Sequence, residues 1–134
     1  MLLIGIDPSY SATGVTYWDT STKHIIFNRV SPEGKNETYS DKFHRALAIA
    51  KHVGDNIVET CLNNFIMDVN VIFEEPLVTS MMASALGILS GVLATTLMNN
   101  HCISSISTLH PNVVNSLNRG VKGRTATNRK TISL

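Results

Sequence analysis

The sequence predicts an α/β domain built on a mixed five-stranded sheet, in which a three-strand antiparallel meander is joined to two parallel strands and flanked by helices. Three observations predict it. Short apolar runs rich in strand formers recur near the start of the chain, separated by turn residues. A long segment then changes to three- and four-residue apolar spacing, the period of a helix. After it comes a second apolar run, VNVIFEE at 69–75, which ends as the first run does, in carboxylate followed by proline. Strands joined by a long helix normally lie parallel in one sheet, so the two acidic ends fall at the same edge.

The first strand is Leu2, Leu3, Ile4 and Ile6, a short apolar run of the kind covered on both faces. Asp7 ends it, because Pro8 biases the preceding residue to extended geometry and cannot donate to a ladder. Ser9, Ser11, Thr13 and Gly14 supply turn chemistry. Val15 to Trp18 and His24 to Val30 then read as the second and third strands, with Asp19 to Lys23 as the hairpin loop. Pro32 and Gly34 mark the next loop. The helix follows, with Phe43, Ala46, Leu47, Ala50, Ile57, Val58, Cys61, Leu62 and Phe65 along one face, and with Thr38 and Asp41 placed as a capping box and Ser40 as an alternative N-cap. Val69 to Glu75 is the fourth strand. Leu77 to Asn100 reads as a loop and then a second helix bearing the small residues Ala83, Ser84, Ala85, Gly87, Ser90, Gly91 and Ala94, which suit close packing or a subunit contact. Cys102 to Leu109 is the fifth strand, and Pro111 to Leu117 a short helix with proline in its first turn. A basic loop follows, and Thr125 or Thr127 caps a further helix.

Composition narrows the function classes. At 134 residues the chain holds one domain with an ordinary core. Cys61 and Cys102 sit in apolar surroundings and suit reduced, buried thiols of a cytoplasmic protein. The apolar start lacks the basic flank of a signal peptide, and Leu86 to Met98 is too short to span a bilayer, so a soluble protein is expected. Charge is unevenly distributed: residues 1–75 carry a net −4 and residues 76–134 a net +5, with no acid after Glu75. Arg119, Lys122, Arg124, Arg129 and Lys130 form the basic cluster, a candidate phosphate-binding surface as well as a solvated loop. The five histidines show no pairing with metal-ligand spacing, and Ser9, Ser11 and Thr13 have no adjacent base.

With IGIDPSYSATG and IFEEP at this separation and in this order of elements, the chain resembles the RuvC family of Holliday-junction resolvases, particularly its shorter bacteriophage-type members, and hence the ribonuclease H fold. Ser84, Ala85, Leu86 and Gly91 resemble the family's small-residue helix. The resemblance implies a metal-dependent endonuclease that cuts four-way or other branched DNA as a homodimer. It further implies that Asp7 and Glu74 are ligands of Mg²⁺, with Mn²⁺ as a substitute. Glu75 competes with Glu74, since neighbouring strand residues face opposite ways. Lys130 resembles a lysine that acts with those acids, while Arg119, Lys122, Arg124 and Arg129 would track the DNA backbone. The apolar loop with Leu77, Met81 and Met82 is a candidate wedge at a junction, or simply core.

The family completes its site with two acids downstream of that lysine, and this chain has none there. The expectation is a domain truncated at its C-terminus, inactive or nearly so as residues 1–134, whose complete form is a nuclease. A non-catalytic relative that binds branched DNA is the alternative. An actin-like or sugar-kinase-like phosphate-binding subdomain also uses an Asp followed by a small-residue hairpin, but 134 residues leave no room for the second lobe of a nucleotide cleft.

Overall fold

The computed structural model describes residues 1–74 and 83–109. Its elements are β1 (Leu2–Asp7), β2 (Thr13–Asp19), β3 (His24–Val30), α1 (Tyr39–Asn64), β4 (Val69–Glu74), α2 (Ala83–Met98) and β5 (Ile103–Leu109). The five strands form one sheet in the order β3-β2-β1-β4-β5. β1 lies at its centre, antiparallel to β2 and parallel to β4; β2 and β3 are antiparallel, β4 and β5 parallel. This is the mixed sheet that the apolar runs and the intervening helix predict.

Local chemistry explains the boundaries. The hairpin between β2 and β3 is held by Asp19, whose Oδ1 accepts from the backbone N–H of Ser21 at 2.9 Å, and Lys23 takes a positive φ of 61° to close it. The capping box of α1 is formed in full. The Asp41 N–H donates to the Thr38 hydroxyl at 3.0 Å, and the Asp41 carboxylate accepts from the Thr38 N–H at 3.0 Å. Phe65 ends the helix in the left-handed region, its N–H returning to the Cys61 carbonyl. β2 begins two residues earlier than Val15 because Thr13 and Gly14 already pair with Val30 and Arg29.

Alternation along the strands divides the sheet into two faces. Leu2, Ile4, Ile6, Val15, Tyr17, Val69, Val71 and Phe73 are buried on one face, against Ala46, Ile49, Ala50, Val53, Ile57 and Cys61 of α1 and Ala85, Leu89, Leu93 and Leu97 of α2. Cys61 and Cys102 are free thiols, and burial together with the neighbouring Cys102 pushes the Cys61 thiol up to about 11. The opposite face carries Leu3, Gly5, Asp7, Trp18, Phe27 and Ile72, and among the described residues no helix packs on it. No described helix is long and apolar enough to cross a membrane.

The apolar arc of α1 is wider than the core it meets. Ala46, Ala50, Ile57 and Cys61 are buried, but Phe43, Leu47, Val58, Leu62 and Phe65 from the same sequence stripe are exposed. The expectation of a single inward face is therefore corrected: part of the stripe lies beside the core, where Leu47, Gly54 and Val58 line a groove with Thr96 of α2 and Cys102.

Candidate functional site

The parallel register between β1 and β4 runs from Leu2 opposite Val69 to Ile6 opposite Phe73. The next residues of these neighbouring strands are Asp7 and Glu74. Since Ile6 and Phe73 are each only 3% exposed and face the helices, alternation turns Asp7 and Glu74 together onto the open face. Two carboxylates thus stand side by side at the carboxyl edge of the central parallel pair, where sites form in open α/β sheets. Proline, which marks the end of each run in the sequence, follows Asp7 directly and follows Glu74 after one residue.

Electrostatics records their proximity. Partial burial pushes the Asp7 carboxyl above its ordinary value. The Glu74 carboxyl is also raised, by burial first and then by repulsion from Asp7. Two oxygen-donor groups that resist simultaneous ionisation form a site that a hard divalent cation would relieve, and the donor set fits Mg²⁺ or Mn²⁺ better than a soft metal. Among the described residues no third carboxylate, histidine or cysteine joins them.

Gly14 lies opposite Asp7 on the antiparallel side. A Cβ there would lie 3.4 Å from the Phe27 ring and 3.7 Å from the Asp7 Cβ, so the missing side chain keeps that flank of Asp7 open.

The turn after Asp7 is held by its own serine and threonine, which the sequence marks as turn chemistry, and by more distant residues that it does not mark. Thr13 Oγ1 donates to the Ser9 carbonyl at 2.8 Å and accepts from the Ser9 N–H at 3.2 Å. The Tyr10 hydroxyl, buried beneath the sheet edge, donates to the Ala85 carbonyl of α2 at 2.6 Å. Arg45 of α1 donates through Nε to the Tyr10 carbonyl and through a terminal nitrogen to the Ser11 carbonyl at 3.3 Å, where the Ser31 hydroxyl also donates at 2.6 Å. Lys42 lies 4.8 Å over the Tyr10 ring. These bonds tie the Asp7 turn to both helices. The bonds made by Tyr10, Arg45 and Ser31 cross 20 to 75 residues of sequence, a separation at which single-chain spacing carries no information.

Of the other candidates, Glu75, Leu77, Met81, Met82, Arg119, Lys122, Arg124, Arg129 and Lys130 lie outside the described residues, as do the expected helices beyond β5. His24, His44, His52 and His101 are exposed and belong to no ligand cluster among the described residues.

No protein-family sequence profile matches the chain, and no curated protein sequence does. Its fold does match solved structures. Thermus thermophilus RuvC in complex with a Holliday junction substrate superimposes with a TM-score of 0.56 at 14% identity, over 97% of this chain and 87% of that one. The yeast mitochondrial Holliday junction resolvase Ydc2 superimposes with a TM-score of 0.56 at 10% identity, over 96% of this chain, which spans 59% of Ydc2. The chain has the ribonuclease H-like fold of these resolvases, as the two acidic motifs and the order of elements lead one to expect.

Proposed function

We propose that this chain is the junction-recognising, metal-dependent endonuclease domain of a branched-DNA resolvase, working in the cytoplasm. The observation that carries this reading is the placement of Asp7 and Glu74, side by side on the open face at the carboxyl edge of a resolvase-like fold. The fold alone would suit many activities; the paired carboxylates favour this one.

Asp7 and Glu74 would hold the cation. Two Mg²⁺ ions would supply an activated water and charge stabilisation for phosphodiester hydrolysis. Lys130 would neutralise the phosphate, while Arg119, Lys122, Arg124 and Arg129 would follow the backbone, contacts that give affinity and salt sensitivity rather than sequence choice. Leu77, Met81 and Met82 would supply an apolar wedge. A four-way junction has two equivalent strands to cut, so a homodimer with two sites is part of the proposal.

The acid count favours a second reading alongside it. With no carboxylate after Glu75 in the sequence, the described residues bring Asp7 and Glu74 alone to this edge of the sheet, which suits a junction binder of low or absent activity. Gel-shift and nicking assays on a labelled four-way junction, with linear duplex of the same sequence as competitor, test the branched-DNA reading that both share. Junction-selective binding with little nicking is expected of residues 1–134. Equal affinity for junction and duplex would contradict the branched-DNA reading, and vigorous Mg²⁺-dependent cutting would contradict the claim that the two-carboxylate site is incomplete.

A further inference from the structure

The sequence holds two cysteines, and the fold brings them together from positions 61 and 102. Leu47, Gly54 and Cys61 are seven residues apart, a step that returns to almost the same side of a helix, so they form one row along α1. The end of α2 lies beside this row: a Cβ at Gly54 would lie 3.7 Å from the Thr96 methyl. Beyond Met98 the chain turns at Asn100, whose side-chain oxygen accepts from the Cys102 N–H at 3.0 Å and whose carbonyl accepts from the Ile103 N–H at 3.1 Å. That turn delivers Cys102 to a groove of about 730 Å³ between α1 and the end of α2, lined also by Val58, one turn before Cys61.

The result is a pair of neighbouring thiols with unequal access. Cys61 is only 2% exposed, whereas Cys102 is half-buried and opens on the groove, its side chain within hydrogen-bonding reach of the Cys61 thiol. A buried cysteine often serves only as a small apolar side chain. Packing alone asks for a small side chain at each place, not for two adjacent thiols with one of them open to a groove. We propose that Cys102 and Cys61 form a reversible oxidation site, at which a low-molecular-weight peptide disulfide such as oxidised glutathione converts the two thiols into an intrachain disulfide. Cys102 reacts first, because a reagent in the groove reaches it. Its thiolate attacks one sulfur of the reagent, forming a mixed disulfide and releasing one glutathione thiolate, which takes up the Cys102 proton. Cys61 then gives up its proton and attacks the Cys102 sulfur, and the second glutathione leaves with that proton. Two protein thiols are oxidised as one reagent disulfide is reduced to two thiols.

The surroundings assign the two roles. Burial, and then Cys102 beside it, pushes the Cys61 thiol up to about 11, so Cys61 is shielded from direct attack and reacts through its position next to Cys102. Asn99, Asn100 and His101 line the groove beside Cys102 and offer hydrogen bonds to a peptide reagent. The new bond closes the loop from residue 61 to residue 102, which carries β4 and α2. It does so at the end of the sheet where Val69 pairs with Ile103, away from the end where Glu74 pairs with Leu109. Oxidation therefore restricts the unfolded chain and stabilises the domain without touching the two carboxylates. Disulfides that form in a reducing compartment are characteristically transient ones of this kind.

This chemistry needs neither DNA nor metal, so it stands or falls apart from the nuclease reading. The folded, reduced chain is incubated with oxidised glutathione and followed by intact mass and peptide mapping. The expected product is a single chain lighter by two hydrogens, with Cys61 joined to Cys102 and no free thiol after denaturation. Cys61→Ala is expected to stop at a glutathione adduct on Cys102, and Cys102→Ser to leave Cys61 unmodified, with the folding of both variants checked by far-UV circular dichroism. The oxidised parent is expected to melt roughly 5–15 °C above the reduced protein, the shift that closing a loop of this length produces, and dithiothreitol to reverse it. A parent that retains both thiols, keeps the glutathione adduct, links to a second chain or melts no higher once its two cysteines are joined would overturn the proposal. So would Cys61 reacting in Cys102→Ser as fast as Cys102 does in Cys61→Ala.

Discussion

Two neighbouring carboxylates that both bind protons more tightly than usual destabilise the folded chain at neutral pH. Asp7 and Glu74 are raised in the folded state, so the unfolded chain ionises first as pH increases. Their contribution is most favourable below the unfolded values of about 4, declines as pH rises through them, and levels off above the folded values. Asp7→Asn is therefore expected to raise stability at pH 7 in metal-free buffer, by less than about 1 kcal/mol because the Asp7 side chain is only partly shielded and water still screens it. The gain should vanish near pH 3. Urea unfolding at the two pH values checks it. Arg45 acts on the same turn from a distance. Its bonds to the Tyr10 and Ser11 carbonyls involve a charged donor, so Arg45→Met should cost about 1.5–3 kcal/mol in the same experiment. Asp7 and Glu74 are legible in the sequence because a carboxylate and nearby proline punctuate each apolar run. Arg45 and Tyr10 are not, because an arginine on an amphipathic helix and a tyrosine in a serine-rich turn look ordinary until the fold brings them together.

Among the elements, α1 and α2 carry opposite kinds of information. The start of α1 is written locally: Thr38→Ala removes a cap that Asp41 reciprocates, and should cost about 1 kcal/mol. Its apolar period is also plain in the sequence, but the period cannot say which part of a wide arc meets the sheet. Phe43, Leu47 and Leu62 share a sequence stripe with Ala46, Ala50 and Cys61, and only the placement of the helix against the sheet and α2 separates exposed from buried. In α2 the small residues suggest close packing, whereas the core contact is made by Ala85, Leu89, Leu93 and Leu97 at four-residue intervals. Leu93→Ala, at a fully buried site, should destabilise by about 2–5 kcal/mol, measured by thermal or urea unfolding. The strands are legible nearly to the residue because β3 begins at the Asp19–Lys23 hairpin and β4 begins where the sequence run does, at Val69. β2 begins early because pairing with β3, rather than apolar character, defines Thr13 and Gly14 as strand.

Across the whole molecule, the sheet order turns a local rhyme between two sequence motifs into a site. Five strands in the order β3-β2-β1-β4-β5 place β1 beside β4, and a parallel register brings Asp7 and Glu74 to one edge and one face. The sequence also divides its charge, acidic through residue 75 and purely basic beyond it. If the basic cluster meets DNA phosphates, junction affinity should fall steeply with salt, and replacing Arg119, Lys122, Arg124, Arg129 and Lys130 by Gln should flatten the log–log slope by up to about 0.9 for each phosphate that is no longer neutralised. The proposal rests most directly on the two carboxylates as a shared cation site. Titrating the metal-free chain with Mn²⁺ and following free ion by electron paramagnetic resonance tests that point. Weak but saturable binding to the parent protein, lost in both Asp7→Asn and Glu74→Gln, is the expected result; equal uptake by all three proteins would contradict it.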